Sequence, residues 1–342
     1  MRILFITWGK YSPSSRYRVE KYLPYLEKKG IEPTLFPTPK NPFRIFRMIR
    51  RLLRNDVVFI QKNLFHWWEL SIISLLNSKI IFDFDDILIP ERPDSECKSR
   101  IDILKFKLHV RIKTGKFRNT LRKAKHLIVG NKYLKEYSLR FLKSQKHITI
   151  IPTPIDTRQY TLKRYEKSEK VIIGWVGLPG NLRYLELLRD VFKLLSAKYK
   201  NIAVKIVCSR FLKFSGVNVI EKQWRLEDEV SDLHTFDIGV MPLFEDPWSE
   251  AKCSFKALQY MAVGVPAVVS PVGMNKEIIK DGEGGFLADS KDVWVHKLSR
   301  LIEDEQLRQE IGTRGRKVIE ERYSIDLNIK RLIKVFDEVS SG

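Results

Sequence analysis

Short apolar, β-rich runs alternate with amphipathic segments along nearly the whole chain, in two successive series. The first series is Arg2–Thr7, Val57–Gln61, Lys79–Asp83, Leu127–Gly130 and Ile148–Ile151. The second is Val171–Val176, Val204–Val207, Val217–Ile220, Ile238–Met241 and Ala267–Ser270. A run that is apolar throughout must be covered on both faces, which is the condition of a parallel strand with crossover helices. The predicted fold class is therefore α/β, with two tandem Rossmann-like doubly wound domains facing a cleft. Pro152, Pro154 and the charged, Tyr-rich stretch that follows set the boundaries: a first domain over 1–155, a linker over 156–170, a second domain over 171–322 and a terminal helix over 323–342.

The charge is not shared evenly between these halves. The chain of 342 residues carries 62 Lys and Arg against 41 Asp and Glu, net +21, and residues 1–160 hold +19 of it. Pro33–Asn55 has six basic residues and no acid, and Ile103–Lys135 has eleven and none. Such asymmetry predicts an anionic partner for the first half. Within Pro33–Asn55, Ile45, Ile49, Leu52 and Leu53 fall at helical spacing among Arg44, Arg47, Arg50, Arg51 and Arg54, with Phe43, Phe46 and Met48 at the boundary. This is a basic amphipathic helix whose apolar stripe either packs on the sheet or meets an anionic membrane surface. No RNP aromatics, zinc finger or helix-turn-helix pattern supports nucleic acid instead.

Cys97, Cys208 and Cys253 are far apart and odd in number, with neither a disulfide framework nor zinc-ligand spacing. No apolar run approaches the roughly 18 to 20 residues that span a bilayer, and the N-terminal run is too short for a signal-peptide core. The expected location is cytoplasmic.

In an open parallel sheet, ligands bind beyond the carboxyl ends of the strands. After Val171–Val176 come Gly177 and Gly180, then Asn181 and Arg183. This arrangement suits backbone amides holding a phosphate, and equally a plain strand-to-helix turn. Lys252, Lys256 and Gln259 stand at i, i+4 and i+7, with Glu250 just before them. The stripe is either a solvated helix face or a surface for an anion and neutral hydroxyls. Gly273, Met274 and Asn275 offer amides to a ligand or form a capping turn.

In the first half, Ser14, Ser15 and Arg16 follow the first strand, as an anion site or an N-capped helix. Asp83, Asp85 and Asp86 follow the third run, three carboxylates in a basic domain, and one of them can orient a hydroxyl or take its proton. A metal site of hard oxygen ligands is the rival reading of these carboxylates. His66, beside Trp67 and Trp68, faces an acceptor or packs.

Gly174–Gly177, Lys256–Gly273, Asn275, Glu277 and Gly284–Leu287 resemble the C-terminal half of GT-B retaining glycosyltransferases of family four, the group 1 glycosyl transferases. Ser14–Val19 and Asp83–Asp86 resemble a subset of the same family, so the resemblance spans almost the whole chain. It implies donor binding by the second domain, through Gly177, Gly180, Asn181, Arg183, Glu250, Lys252, Lys256, Gln259, Gly273, Met274 and Asn275. The donor is a nucleotide diphosphate sugar, used as a co-substrate with no bound cofactor and no metal. The resemblance also implies a glycan or lipid-linked acceptor on the first domain, near Ser14, Ser15, Arg16 and His66, with Asp83, Asp85 and Asp86 as the catalytic group. Transfer would proceed with retention, and the terminal helix would cross back to the first domain.

The family's two glutamates eight positions apart are not both present. Gln259 holds the second place and Ala251 the first, which leaves a binding protein of weak or no catalysis as the alternative, with nucleic-acid binding as a more remote one. The expected setting is peripheral, on the inner face of the membrane.

Overall fold

The computed structural model describes residues 1–9, 12–39, 42–90, 99–142, 146–165 and 169–342, without the side chains of 42–45. Cys97, part of the turn leading to Ser14, part of the 156–170 linker, and the side chains of Phe43, Arg44 and Ile45 lie outside the described residues.

Two units divide the chain: Met1–Pro154 with Asp326–Gly342, and Ile155–Ile325. The first holds β1 (Arg2–Thr7), β2 (Glu32–Pro37), β3 (Val57–Gln61), β4 (Ile80–Phe84), β5 (His126–Val129) and β6 (His147–Ile150). All pair in parallel, in the order β2-β1-β3-β4-β5-β6. The inner strands β3, β4 and β5 are buried along their whole length, which is why they read as unbroken apolar runs. Strand β2 was not expected from sequence. It contains Pro33 and Pro37, which a central strand excludes, and it sits at the sheet edge, where a missing N–H is tolerated. The helix Ile325–Ser341 closes the core of this unit: the Phe336 ring lies 6.1 Å from the rings of both Phe5 and Phe59.

The second unit holds β7 (Val171–Val176), β8 (Ile202–Cys208), β9 (Val219–Gln223), β10 (Ile238–Met241), β11 (Ala267–Val269) and β12 (Gly285–Leu287). Their order is β12-β11-β10-β7-β8-β9, again all parallel. Strand β12 is only three residues long and was likewise not expected, and β9 begins two residues later than its predicted run.

Gly174 of β7 and Gly239 of β10 are register partners at the centre of this sheet. A methyl group at Gly174 would lie 2.0 Å from the Phe236 ring, and one at Gly239 would lie 2.3 Å from the Tyr260 ring. The glycines therefore make the space in which Tyr260, on the helix Phe255–Ala262, lies against the sheet. Its hydroxyl accepts from Val176 N and donates to Val240 O, both at 3.3 Å, so one side chain ties the helix to β7 and β10 at once. Gly239→Ala is expected to destabilise the protein by about 1–3 kcal/mol, the usual cost of overpacking, measured by urea denaturation followed by far-UV circular dichroism.

Candidate functional site

The Tyr260 anchor sets where the preceding turn of its helix falls. Lys256 is carried over the end of β7, with its Cε against Gly177: a methyl group there would stand 2.9 Å from it and 2.5 Å from the Trp175 ring. The Lys256 ammonium lies 5.5 Å from the centre of the Trp175 ring. Burial pushes this lysine down to about 7, and the positive charge of Lys252 pushes in the same direction. Lys252 in turn lies 5.4 Å over the Tyr184 ring, which also has Arg183 at 4.9 Å. Two lysines, one of them desolvated, with an arginine beside the same tyrosine, gather positive charge of the kind that suits an anion.

The expected helical stripe of Lys252, Lys256 and Gln259 is corrected here. The helix starts at Phe255, so Lys252 belongs to the turn between it and the short helix Pro247–Glu250, where Asp246 caps by accepting from Ser249 N at 2.7 Å. Ser254 precedes the helix with φ +51, a conformation that costs a non-glycine residue about 1–3 kcal/mol. Its buried hydroxyl has no hydrogen-bond partner among the described residues.

Gln259 is not on a solvated face either. It is buried, and its Nε2 donates to Tyr160 Oη at 3.0 Å, while Tyr160 Oη donates to Glu229 Oε1 at 2.5 Å. The side-chain amide is thereby held through its nitrogen. Tyr160 falls in the stretch predicted as a linker, and Glu229 on a six-residue helix with no motif around it. Sequence offered no signal for either. Arg316 holds this stretch in place by donating to the carbonyls of Thr157, Tyr160 and Ala262.

Ala251 is fully buried, so the first place of the glutamate pair presents no polar group. Glu250 ends its short helix and faces Lys276, at 3.8 Å. Its backbone passes so close to Gly273 (φ +53) that a methyl group there would meet the Glu250 carbonyl oxygen at 2.5 Å. The expected amide donor Asn275 is spent inside its own turn. Its N–H donates to Val272 O at 3.2 Å and its Nδ2 to Ser270 O at 2.8 Å, while its buried Oδ1 has no partner among the described residues. Met274 is buried beside it, and Asn181 N is likewise occupied by Leu178 O at 2.9 Å. Gly180 faces open space.

In the first unit the three aspartates take different places. Asp83 lies within β4, buried, in a fork with the Arg18 guanidinium, whose Nη1 also donates to Ile151 O at 2.9 Å. Burial pushes its carboxyl up against the pull of Arg18. Asp83 thus joins a helix, a strand and a loop, and the expectation that it faces a ligand is corrected. Asp85 and Asp86, beyond the strand, are both half-buried. Asp85 accepts from Ser14 Oγ at 2.9 Å and pairs with Lys62 at 3.0 Å. Burial pushes its carboxyl up, but the charges of Lys62 and Arg18 and the hydrogen bonds of Lys62 and Ser14 outweigh burial and hold it below the usual range.

Lys62 reaches Asp85 from a backbone with φ +55. Asp86 accepts from Ile87 N at 3.0 Å. Ser15 is buried, donating to Gln61 Oε1 at 3.0 Å, and Arg16 stacks on Tyr17 and donates to its hydroxyl at 2.8 Å. His66 is the exposed N-cap residue of the helix Trp67–Leu76. Among the described residues no cluster of His, Cys, Asp and Glu has metal-binding geometry.

These two units have the GT-B fold. Two solved structures share it at low identity. The sucrose-phosphate synthase of Thermosynechococcus elongatus superposes with a TM-score of 0.70 at 13% identity, covering 99% of each chain. Anabaena HepE, in complex with UDP-glucose, gives 0.70 at 13%, covering 99% of this chain and all of that one. Within the second unit, residues 228–318 match the family model of the group 1 glycosyl transferases. The capsular polysaccharide biosynthesis glycosyltransferase CapM of Staphylococcus aureus is 23% identical over 62% of this chain, and the N-acetyl-alpha-D-glucosaminyl L-malate synthase of Bacillus anthracis is 23% identical over 58%. The matches span 59% and 55% of the lengths of these curated relatives.

The depressed Lys256 gives the site a pH signature. A bound diphosphate favours the ammonium form, so affinity is expected to fall as pH rises through about 7, with a proton taken up on binding above that pH. Calorimetry of nucleoside diphosphate binding in buffers of different ionisation enthalpy measures both. Lys256→Met is expected to weaken binding at least about tenfold.

Proposed function

We propose that the protein is a glycosyltransferase that moves a sugar from a nucleotide diphosphate sugar, with retention of anomeric configuration, to a membrane-associated or envelope polysaccharide or lipid acceptor. The observation that carries this reading is the buried Lys256 over Trp175 at the end of β7, with Lys252 near it and Arg183 sharing the Tyr184 ring with Lys252, inside a unit whose residues 228–318 match the group 1 model. As the bond between the anomeric carbon and the diphosphate breaks, negative charge builds on the leaving phosphate. Fixed cations that need no reorganisation lower that barrier most. Gln259, held by Tyr160 and Glu229, accepts from a donor hydroxyl, in keeping with a ribose contact.

On the first unit, Asp85 with Lys62 and Ser14 receives the acceptor. A carboxylate held below its usual range is a weak base, so its role is to orient the acceptor hydroxyl, whose proton leaves with the more basic departing diphosphate oxygen. The acceptor reading draws on CapM, a capsular polysaccharide biosynthesis glycosyltransferase, and on the excess charge of the first half, which suits a protein peripheral to an anionic membrane on its inner face.

A second reading has support in one feature. With Ala251 buried at the first glutamate place, a sugar-nucleotide-binding protein that turns over weakly or not at all also fits. Incubation with a panel of labelled nucleotide sugars, headed by UDP-glucose, and membrane lipid extract separates the two. Transfer supports the enzyme, and binding without transfer or hydrolysis across the panel supports the binding protein. Asp85→Asn is expected to lower transfer about a hundredfold, the scale of lost orientation, with donor affinity by calorimetry unchanged.

A further inference from the structure

The long helix Arg100–Lys123 has two apolar faces. One is the face its sheet requires, with Phe117, Thr120 and Leu121 buried. The other points outward: Ile101, Leu104, Leu108 and Ile112 are 65, 69, 58 and 47% exposed. Their spacing of three, four and four residues lines them along a single stripe of a helix. Lys105, Lys107, Arg111 and Arg118 are exposed beside it. Asp102, the acid of the helix's first turn, is taken up in the capping box with Ser99.

The stripe has company. The helix Trp67–Leu76 packs beside this one and exposes Trp67 and Trp68. The helix Pro42–Leu52 packs beside Trp67–Leu76 and exposes Phe46, with Arg47 and Arg50 around it. Among the described residues of the first block's expected stripe, Leu52 is fully buried, joined by Met48, while Leu53 is exposed. The sequence had pointed to this helix alone as the membrane-facing element.

The geometry points to the outer faces of these three helices as a docking surface for an anionic lipid bilayer, with Ile101, Leu104, Leu108 and Ile112 entering the interface. This rests on the membrane-linked acceptor proposed above and gives it a location. Apolar side chains flanked by Lys and Arg match acyl chains below anionic headgroups. Tryptophans favour the same boundary. A second copy of the chain would bring like charge against like, and nucleic acid gives an aliphatic stripe nothing to contact.

The surface is also well placed. Trp67 begins a helix that follows the carboxyl end of β3, where Lys62 stands, and the helix Arg100–Lys123 packs beside it. A lipid-linked acceptor would keep its tail in the bilayer while its headgroup reaches the pair of Lys62 and Asp85.

Co-sedimentation with vesicles of phosphatidylcholine, with and without phosphatidylglycerol, tests the surface. The unaltered protein is expected to bind the anionic vesicles only. The double substitution Leu104→Glu/Leu108→Glu is expected to weaken that binding at least about tenfold, with an unchanged urea denaturation midpoint. Bromine-labelled acyl chains are expected to quench Trp67 and Trp68, seen as the difference from Trp67→Phe/Trp68→Phe. Glutamates that leave vesicle binding intact overturn the proposal, as does binding to an acidic protein or a nucleic acid in preference to anionic vesicles. Donor hydrolysis followed in the same preparations keeps the two readings apart. Turnover without vesicle binding sinks the docking surface alone, and vesicle binding without turnover sinks the transferase alone.

Discussion

Removing two methyl groups from the middle of a sheet determines the geometry of the second unit. Gly174 and Gly239 face one another across β7 and β10, and only because both lack a Cβ can Phe236 and Tyr260 occupy the space above them. Tyr260, fully buried and bonded through its hydroxyl to both strands, fixes the helix Phe255–Ala262 in height and rotation. Lys256 sits one turn upstream on the same helix and inherits that precision. Its stem then requires a third glycine, Gly177, at the strand end. Removal of the anchor would not delete a ligand contact, but it would let every contact on this helix drift.

The two candidate places hold their charges in different ways. In the first, a buried guanidinium and carboxylate neutralise each other in Arg18–Asp83, and Lys62 and Ser14 compensate Asp85. In the second, Lys256 is destabilised by burial and by a neighbour of the same sign. A compensated pair holds its shape without a ligand, whereas a lysine lowered by burial is one whose ammonium form an arriving anion would favour. Among the described residues, the two non-glycine positions with positive φ, Lys62 and Ser254, stand one in each of these places, which is where backbone strain tends to collect.

The sequence made the architecture legible because parallel strands are apolar without interruption, and ten of the twelve strands carry that signature or part of it. The other two were hidden for physical reasons. β2 is an edge strand that tolerates prolines, and β12 is three residues flanked by glycine. Of the site, the cationic residues could be found because charge near a strand end is conspicuous. The polar residues that position them could not. Tyr160 lies 99 residues from Gln259 and Glu229 lies 69 from Tyr160, so only folding brings them together. Asp83 misled for the opposite reason: an aspartate one residue before the end of a strand looks like one just beyond it, yet the pleat turns it inward onto Arg18.

The second unit is a continuous stretch, Ile155–Ile325, whereas the first is assembled from residues on either side of it. Phe336, which packs edge-on against both Phe5 and Phe59, is therefore supplied more than 270 residues after the strands it covers. During synthesis the first sheet must wait, its apolar face open, while the whole of the second unit emerges and folds. The slow partner in biogenesis is thus the N-terminal unit. A chain cut short before Phe336 would carry a complete second unit tethered to a first one whose apolar face stays open to chaperones and proteases.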